Sequence, residues 1–556
     1  MNSKLLSKST SVPKVKFWIL GGLCISLFFW VPLVDAFNVS KFSMLLVFGF
    51  VSVPIVAFDT IGLFRSNWKT YFCFSFFLFS LILNIATTAN ARQSLFGAPS
   101  RFAGVLTYTC LLIIAIGLFQ SFREINYIFL VWTLTALGAI QTLYGFLQVF
   151  DLDPISWNNP YGLIIGTVGN ADFAGALIGI CGVATLWLVY FYDIGKLPRI
   201  SLAILVLLEI YLVNRANIRQ ALIIFLIGIT LFSLRLARKQ KKLFQPLTVA
   251  SMISIVLIGA ATLQVGPLTS YVYKLSISMR GDYWRAAIRM FSENPLTGIG
   301  LGNFGDKFPL YRDSVQVGRR GPNYLADAAH SVFLDYLSMG GIFLFLSYVS
   351  LLLLGFWRLL SDFKSLSSES QNIRIGFIAI WLSYLAQSSI SLDQIGLAIW
   401  GWIFIGCALS FGRKQSVEVI QKKTNTLVTN SMVLAFGVLS ILIAAPTWNA
   451  DLNLKKAMII GTQNRTAESA ANRLQLLKDS TASDSRNSWY YQNAALILLQ
   501  SGQIEGIDFA KKALELNPSD ILSAKLLAMV SSDIGAKEES EKYARIVREL
   551  DPFANF

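Results

Sequence analysis

The sequence is poor in charge, in histidine and in cysteine, and each shortage excludes a class of protein or site. Charged residues make up 14% of the 556 positions and hydrophobic residues 54%, a balance typical of a polytopic membrane protein and not of a soluble domain. His330 is the only histidine, so a metal site built from several imidazoles is excluded. The five cysteines stand far apart inside apolar stretches and suggest neither disulfides nor a zinc site. We therefore expect a membrane protein that holds no metal.

Apolar stretches of roughly 20 residues, the length of a helix that crosses a bilayer, recur along the chain. We predict an all-α bundle of about 12 to 13 membrane spans within residues 18–446, preceded by an N-terminal tail at 1–17. The count depends on the pair 201–214 and 220–234, whose members are short. The stretches are 18–36, 41–64, 70–89, 104–121, 125–149, 174–193, 201–214, 220–234, 247–267, 331–357, 375–392, 396–412 and 428–446.

Basic residues flank every second joint between these stretches, beginning with the lysines of the N-terminal tail. Because cytoplasmic loops are rich in Lys and Arg, we expect the N-terminus and those joints to lie in the cytoplasm. Four long polar segments then face outward: 90–104, 151–175, 267–330 and the C-terminal 447–556. The net charge of +15 follows mostly from this topology, so we expect no nucleic-acid partner.

His330 closes the largest outward segment and stands where the apolar stretch 331–357 begins. Histidine is the side chain whose ordinary pKa allows it to exchange a proton near neutral pH. Position alone therefore supports two interpretations, a catalytic base and an interfacial residue with a structural role.

Arginines are concentrated on the predicted outer face. A guanidinium is permanently charged and its planar fork suits the paired oxygens of phosphate or pyrophosphate. Interfacial arginines also serve as anchors that pair with headgroups or with local acids, and both interpretations stay open. The candidates for substrate binding are Arg92, Arg101, Arg215, Arg219, Arg280, Arg285 and Arg289.

The stretch 278–304 combines an amphipathic helix with a glycine run. Asn294-Pro295 is predicted to stop the helix, and Gly298, Gly300 and Gly302 then permit a tight backbone whose N–H groups could approach an anion. Without a preceding strand, this run is a weak nucleotide signal. Trp284 is a candidate for stacking on a sugar, with interfacial packing as the alternative.

Three motifs together resemble the O-antigen ligase and polymerase superfamily, over roughly residues 200–360. They are Arg280-x3-Trp284-x2-Ala287, Asn294-Pro-x2-Gly298-x-Gly-x-Gly302-x-Phe304 and Ala329-His330-Ser-x2-Leu334-x4-Met339-Gly-Gly341. Three loops add to the resemblance: 217–221 with Arg219, 166–172 with Asn170, and 94–97 followed by Arg101.

The chain also departs from the family pattern. Ile218 replaces the serine that usually precedes the arginine, so Arg215 is a rival to Arg219. Asp172 stands where a second asparagine is usual, and Ser331 where asparagine is common. These departures bear on the substrate more than on the class of reaction.

The resemblance implies a multispan glycosyltransferase of the GT-C type in the bacterial cytoplasmic membrane. It would take a glycan from an undecaprenyl-pyrophosphate carrier on the outer face, without nucleotide, metal or other cofactor. The acceptor would be lipid A core, another carrier-linked glycan or a protein hydroxyl, which leaves ligase, polymerase and protein O-oligosaccharyltransferase open. A transporter of small anions and an envelope scaffold are the less favoured alternatives.

Carried over by position, the resemblance gives roles to individual residues. Arg280 and Arg219 would bind the pyrophosphate, and His330 would accept the proton of the acceptor hydroxyl. The remaining substrate-binding candidates are Arg215, Arg101, Arg92, Arg285, Arg289, Trp284 and Asn170.

The outward C-terminal segment 447–556 contains a repeat. Leu516-Asn517-Pro518 recurs as Leu550-Asp551-Pro552, a shift of 34 residues, and the alanine pairs 494/528 and 510/544 share that shift. The period resembles the tetratricopeptide repeat, with units at 487–520 and 521–554. The segment is predicted either to dock a protein partner or to cap the membrane domain.

Overall fold

A computed structural model describes residues 11–157, 163–238, 240–262, 275–413, 426–463 and 466–555. Within these ranges the chain is helical and has no strand, which confirms the predicted all-α class. The α-helices before residue 263 are α1 (Ser11–Leu27), α2 (Asn38–Leu63), α3 (Trp68–Thr87), α4 (Ala91–Phe96), α5 (Val105–Ser121), α6 (Tyr127–Val149), α7 (Ala171–Phe191), α8 (Lys196–Arg215), α9 (Arg219–Ala237) and α10 (Lys241–Thr262).

The rest of the chain continues the same all-helical pattern. The long polar segment 267–330 contains α11 (Leu275–Glu293), α12 (Phe304–Tyr311) and α13 (Ser314–Arg320) within its described residues, and four long helices follow it. They are α14 (Val332–Leu360), α15 (Ser368–Ser388), α16 (Ile395–Ser410) and α17 (Thr426–Gln463). Each predicted apolar stretch overlaps one helix, but 18–36 is wrong at its end, because α1 stops at Leu27, and 247–267 ends outside the described residues.

Eight helices of the described chain are long and apolar enough to cross a membrane. They coincide with α2, α3, α6, α7, α8, α9, α14 and α17, while the apolar helices α5 and α16 are shorter. A polytopic helical bundle is therefore what the structure shows. Crossings beyond these eight stay a prediction, because the other helices are too short or too polar to qualify by length and composition.

The centre of the bundle is α7, whose length is almost entirely buried. Its glycines bring neighbouring helices close, because a Cβ at Gly182 would lie 2.2 Å from the ring of Phe225 in α9. A Cβ at Gly175 would lie 2.4 Å from Ile218, the residue that precedes α9. Small residues at helix crossings are the usual means of close packing in membranes. This contact fixes the beginning of α9 against the beginning of α7.

The glycine run 298–302 forms backbone hydrogen bonds with α14. Gly298 and Gly300 have φ of +68° and +93°, and the N–H groups of Ile299 and Gly300 donate to the carbonyls of Ser338 (3.0 Å) and Met339 (2.9 Å). These donors are therefore occupied, which corrects the idea that they cradle an anion. The predicted single span 331–357 is also wrong in one respect, because α14 is broken at Gly341 (φ +66°), where the run packs.

The C-terminal helices form a second hydrophobic core. They are α18 (Ala467–Ser483), α19 (Ser488–Gln500), α20 (Gly506–Leu516), α21 (Ile521–Asp533) and α22 (Lys537–Leu550). The four alanines that repeat at a shift of 34 residues are all buried in this core. Helix α17 runs without a break through the predicted boundary at 446/447 and contributes Ala450 and Leu454 to the same core. The tetratricopeptide assignment itself stays a prediction.

Candidate active site

His330 lies in the loop that joins α13 to α14, just before the helix begins. Its backbone has φ +55°, a left-handed conformation that is uncommon for a residue other than glycine. The loop on both sides is held by hydrogen bonds, from Ala329 N–H to the Asp335 carboxylate (2.8 Å) and from Val332 N–H to the Ser391 carbonyl (3.1 Å). An uncommon conformation that is fixed by its surroundings is typical of functional residues.

The imidazole of His330 rests on an aromatic ring. The ring centroids of His330 and Tyr283 are 5.3 Å apart and the planes are inclined by 30°. The Tyr283 hydroxyl in turn lies 2.5 Å from the hydroxyl of Tyr324. Tyr283 comes from α11 and Tyr324 from the loop before His330, so the two tyrosines join separate parts of the outer segment.

Four charged side chains surround His330: Asp327, Arg280, Arg101 and Asp172. They form two ion pairs, one between Arg101 Nε and Asp327 Oδ2 (2.8 Å) and one between Arg280 Nη2 and Asp172 Oδ2 (3.8 Å). The Arg280 side chain is only 8% exposed. Residues from three of the long polar segments, 90–104, 151–175 and 267–330, therefore meet at this histidine.

The electrostatic environment keeps the imidazole neutral. The pKa of His330 is lowered to about 4, and burial is the largest cause; Asp327 and Asp172 raise the pKa, whereas Arg280 and Arg101 lower it. Burial lowers this pKa more than either arginine does. At pH 7 the imidazole has a lone pair that can accept a proton.

Helix α9 begins beside this cluster. Arg219 is its first residue, and the side chain of the next residue, Gln220, donates to the Asp172 carbonyl at 2.5 Å. Arg215, the rival candidate, lies in the last turn of α8 and is exposed. The side chain of Asn170 accepts a hydrogen bond from Asp172 N–H (2.8 Å) and so caps α7. Asn170 therefore contributes to the site by orienting Asp172.

Comparison with known proteins finds a family for part of the chain. Residues 201–349 match the model of the family described as O-antigen ligase. This segment is therefore similar to the O-antigen ligase superfamily. No curated protein matches the chain.

The O-antigen ligase segment contains Arg219, Arg280, Tyr283, Asp327 and His330, while Arg101 and Asp172 come from earlier parts of the chain. Together with the eight apolar helices, the match shows a multi-pass membrane glycosyltransferase of the O-antigen ligase or polymerase type. Within the described part of the chain, no group of three or more His, Cys, Asp or Glu residues could hold a metal ion.

Several predicted site residues lie apart from His330 in this O-antigen ligase-like chain. Arg92 pairs with Asp484 of the C-terminal helices at 2.5 Å. Arg285 and Arg289 are 46% and 48% exposed and pair with Asp313 at 3.0 and 3.9 Å. These three arginines behave as anchors that neutralise local acids. The indole N–H of Trp284 is buried and has no hydrogen-bond partner among the described residues.

Sequence reasoning missed three contributors to the site. Asp327, Tyr324 and Asp335 each bond to a residue of the His330 cluster or loop, yet Asp327 and Tyr324 lie outside the motifs that carried the resemblance and Asp335 occupies an unspecified position of the third. The one available signal was position, because Asp327 stands three residues before His330. Nothing in the local sequence marks Tyr324 or Asp335.

Proposed function

We propose that this protein transfers a glycan from an undecaprenyl-pyrophosphate carrier to an acceptor hydroxyl on the outer face of the bacterial cytoplasmic membrane. The observation that carries the proposal is the position of a neutral, half-buried His330 beside the buried cation Arg280. The N-terminus then lies in the cytoplasm, and the C-terminal helices lie outside.

The reaction is a displacement at the anomeric carbon of the donor. His330 accepts the proton of the acceptor hydroxyl, and the acceptor oxygen forms a bond to the anomeric carbon. The bond from that carbon to the pyrophosphate oxygen breaks, and the leaving group takes both electrons. A base for the nucleophile and positive charge for the leaving oxygen are the two requirements of such a step.

The arginines are assigned by their geometry. Arg280 is buried and its single carboxylate partner is 3.8 Å away, so a pyrophosphate can compete for its guanidinium. Arg219 begins a helix beside the same carboxylate residue and is proposed as the second cation for the leaving group. Arg101 is bonded closely to Asp327 and is proposed to hold that carboxylate beside His330.

Binding of the donor should also change the pKa of His330. A pyrophosphate beside Arg280 adds negative charge near His330 and therefore raises its pKa from about 4 towards the working pH. A base is most effective when its pKa lies close to that pH. Binding of the donor would thus make His330 a more effective base.

The decisive experiment is transfer by the purified protein in lipid nanodiscs that contain an undecaprenyl-pyrophosphate-linked glycan. Transfer to lipid A core, a ladder of repeat units and glycosylated protein would identify ligase, polymerase and protein O-oligosaccharyltransferase, respectively. If no acceptor of these three classes is modified while wild-type protein is folded and donor is present, the proposal fails.

Metal independence has its own test. Because arginines supply the positive charge at the leaving group, we expect the rate of transfer to be the same in excess EDTA. Loss of transfer with EDTA that is restored by Mg²⁺ or Mn²⁺ would contradict this part of the mechanism.

A further inference from the structure

One edge of the C-terminal helices presents three equivalent residues. Asp484, Asn517 and Asp551 each cap the C-terminal end of a helix, α18, α20 and α22 respectively. They are spaced by 33 and 34 residues, and all three are buried. The repeat therefore places an aspartate or asparagine at regular intervals along one edge.

Each of these three residues bonds to a side chain in one of the predicted outer segments. Asp484 pairs with Arg92 at 2.5 Å, and the Asn517 amide donates to Asp306 at 2.9 Å. Arg312 Nη2 lies 2.7 Å from both oxygens of Asp551. We call these three pairs the clamp. Its partners belong to two segments, 90–104 and 267–330, that also supply Arg101 and His330 to the site.

The Arg312–Asp551 pair is the most enclosed part of the clamp, because both side chains are 0% exposed. Loss of one partner leaves a buried charge without compensation, so the remaining charged group must move towards water. The exposed pairs of the C-terminal helices, such as Lys512–Glu515, carry no such constraint.

A short chain of contacts leads from this pair to the imidazole. Arg312 Nη1 donates to the Tyr324 carbonyl at 3.1 Å, and the Tyr324 hydroxyl lies 2.5 Å from that of Tyr283. The ring of Tyr283 stacks on His330. Movement of Arg312 would therefore displace the aromatic surface on which the imidazole rests.

We propose that the C-terminal helices hold His330 in its working position through the clamp. Asp551 is a positioning residue, and Arg312, Tyr324 and Tyr283 transmit its position to the imidazole. The consequence for catalysis rests on the proposed role of His330 as the base, but the mechanical link does not.

His330 is the only histidine, which permits a direct test. With histidine labelled selectively and no polyhistidine tag, one imidazole signal reports its titration by NMR in the full-length protein in nanodiscs. The groups that face this imidazole are Asp327, Arg280, Arg101, Asp172 and Tyr283, and the variants below change none of them.

We expect Asp551→Asn to move the titration midpoint up by roughly one pH unit or more, because the loosened loop lets water reach the imidazole. Tyr324→Phe should move it in the same direction by less, and it leaves the C-terminal helices untouched. The control Glu515→Gln, in an exposed pair of the same helices, should titrate like the wild type.

Transfer is then measured on the same samples. We expect Asp551→Asn to lower kcat about tenfold or more per folded molecule, with Tyr324→Phe intermediate. An unchanged midpoint in both variants would overturn the proposal, as would a loss of kcat that only follows the loss of folded protein. If the midpoint moves while His330→Ala keeps full transfer, the clamp stands and the role of His330 as the base fails.

Discussion

Helix α11 has two faces, and its arginines behave differently on each. Arg280 points into the protein, is 8% exposed and lies 3.8 Å from its partner Asp172. Arg285 and Arg289 are nearly half exposed, and both pair with Asp313. The same side chain on one helix is thus a buried cation near the only histidine or a surface anchor. A buried guanidinium whose carboxylate partner is distant can still bind a substrate anion strongly. An exposed guanidinium beside a close carboxylate binds an added anion weakly, because solvent and the carboxylate already screen its charge.

The largest effect should come from removal of the His330 imidazole. We expect His330→Ala to lower transfer from the lipid-linked donor by about 10²–10⁴-fold, because the acceptor loses its base. Arg289→Ala, on the exposed face of α11, is the control and should keep near wild-type transfer. Equal transfer by His330→Ala and wild type at every pH would exclude the base assignment.

The two faces of α11 are compared directly by the same substitution on each. We expect Arg280→Lys to lower kcat by about 10²-fold, since lysine lacks the planar fork that matches pyrophosphate oxygens. Arg289→Lys should change it by less than about twofold, as exposed pairs contribute little. Steady-state kinetics with purified lipid-linked donor measures kcat for both variants. Similar losses of kcat at both positions would contradict the distinction between the two faces.

The pH dependence separates the charges around His330 by sign. In free enzyme, kcat/KM should rise as pH increases through the pKa of His330, about 4, because only the neutral imidazole accepts a proton. Asp327 raises this pKa and Arg101 lowers it. Asp327→Asn should therefore move the acid limb to lower pH, and Arg101→Gln should move it to higher pH.

The measurement is the pH profile of kcat/KM for both variants beside the wild type. Shifts in the same direction would mean that a change of loop structure, and not charge, dominates. The control is Asp313→Asn, whose carboxylate pairs with the exposed arginines of α11.

The smallest effect should come from the exposed face alone. Arg285→Gln removes the ion pairs of a guanidinium that is nearly half exposed, while Arg320 still pairs with the buried Asp282, so we expect the free energy of unfolding to fall by less than about 1 kcal/mol. Thermal unfolding of the purified protein, with transfer measured on the same sample, tests this. A larger loss would show that the Asp282 and Asp313 contacts stabilise the outer segment more than surface pairs do.

Much of the fold follows from the sequence because a membrane helix is defined locally. About 20 apolar residues must satisfy their own backbone hydrogen bonds, so each apolar stretch predicts one helix. The break in α14 at Gly341 escaped prediction, since it depends on the glycine run at 298–302 that packs against it. No property of residues 331–357 alone reveals that contact.

The candidate site divides in the same way. By itself the sequence determined that the chain has one histidine at the end of a long polar segment, and it predicted that arginines are concentrated on the same side of the membrane as that segment. Only the tertiary structure decided which arginines lie near His330: Arg280 and Arg101 do. The other candidates form ion pairs elsewhere, namely Arg92, Arg285 and Arg289. The ion pair between Asp551 and Arg312 also depends on tertiary structure alone. Hydropathy and local charge belong to short segments, but the partner of a buried charge is set by packing between segments far apart in the chain.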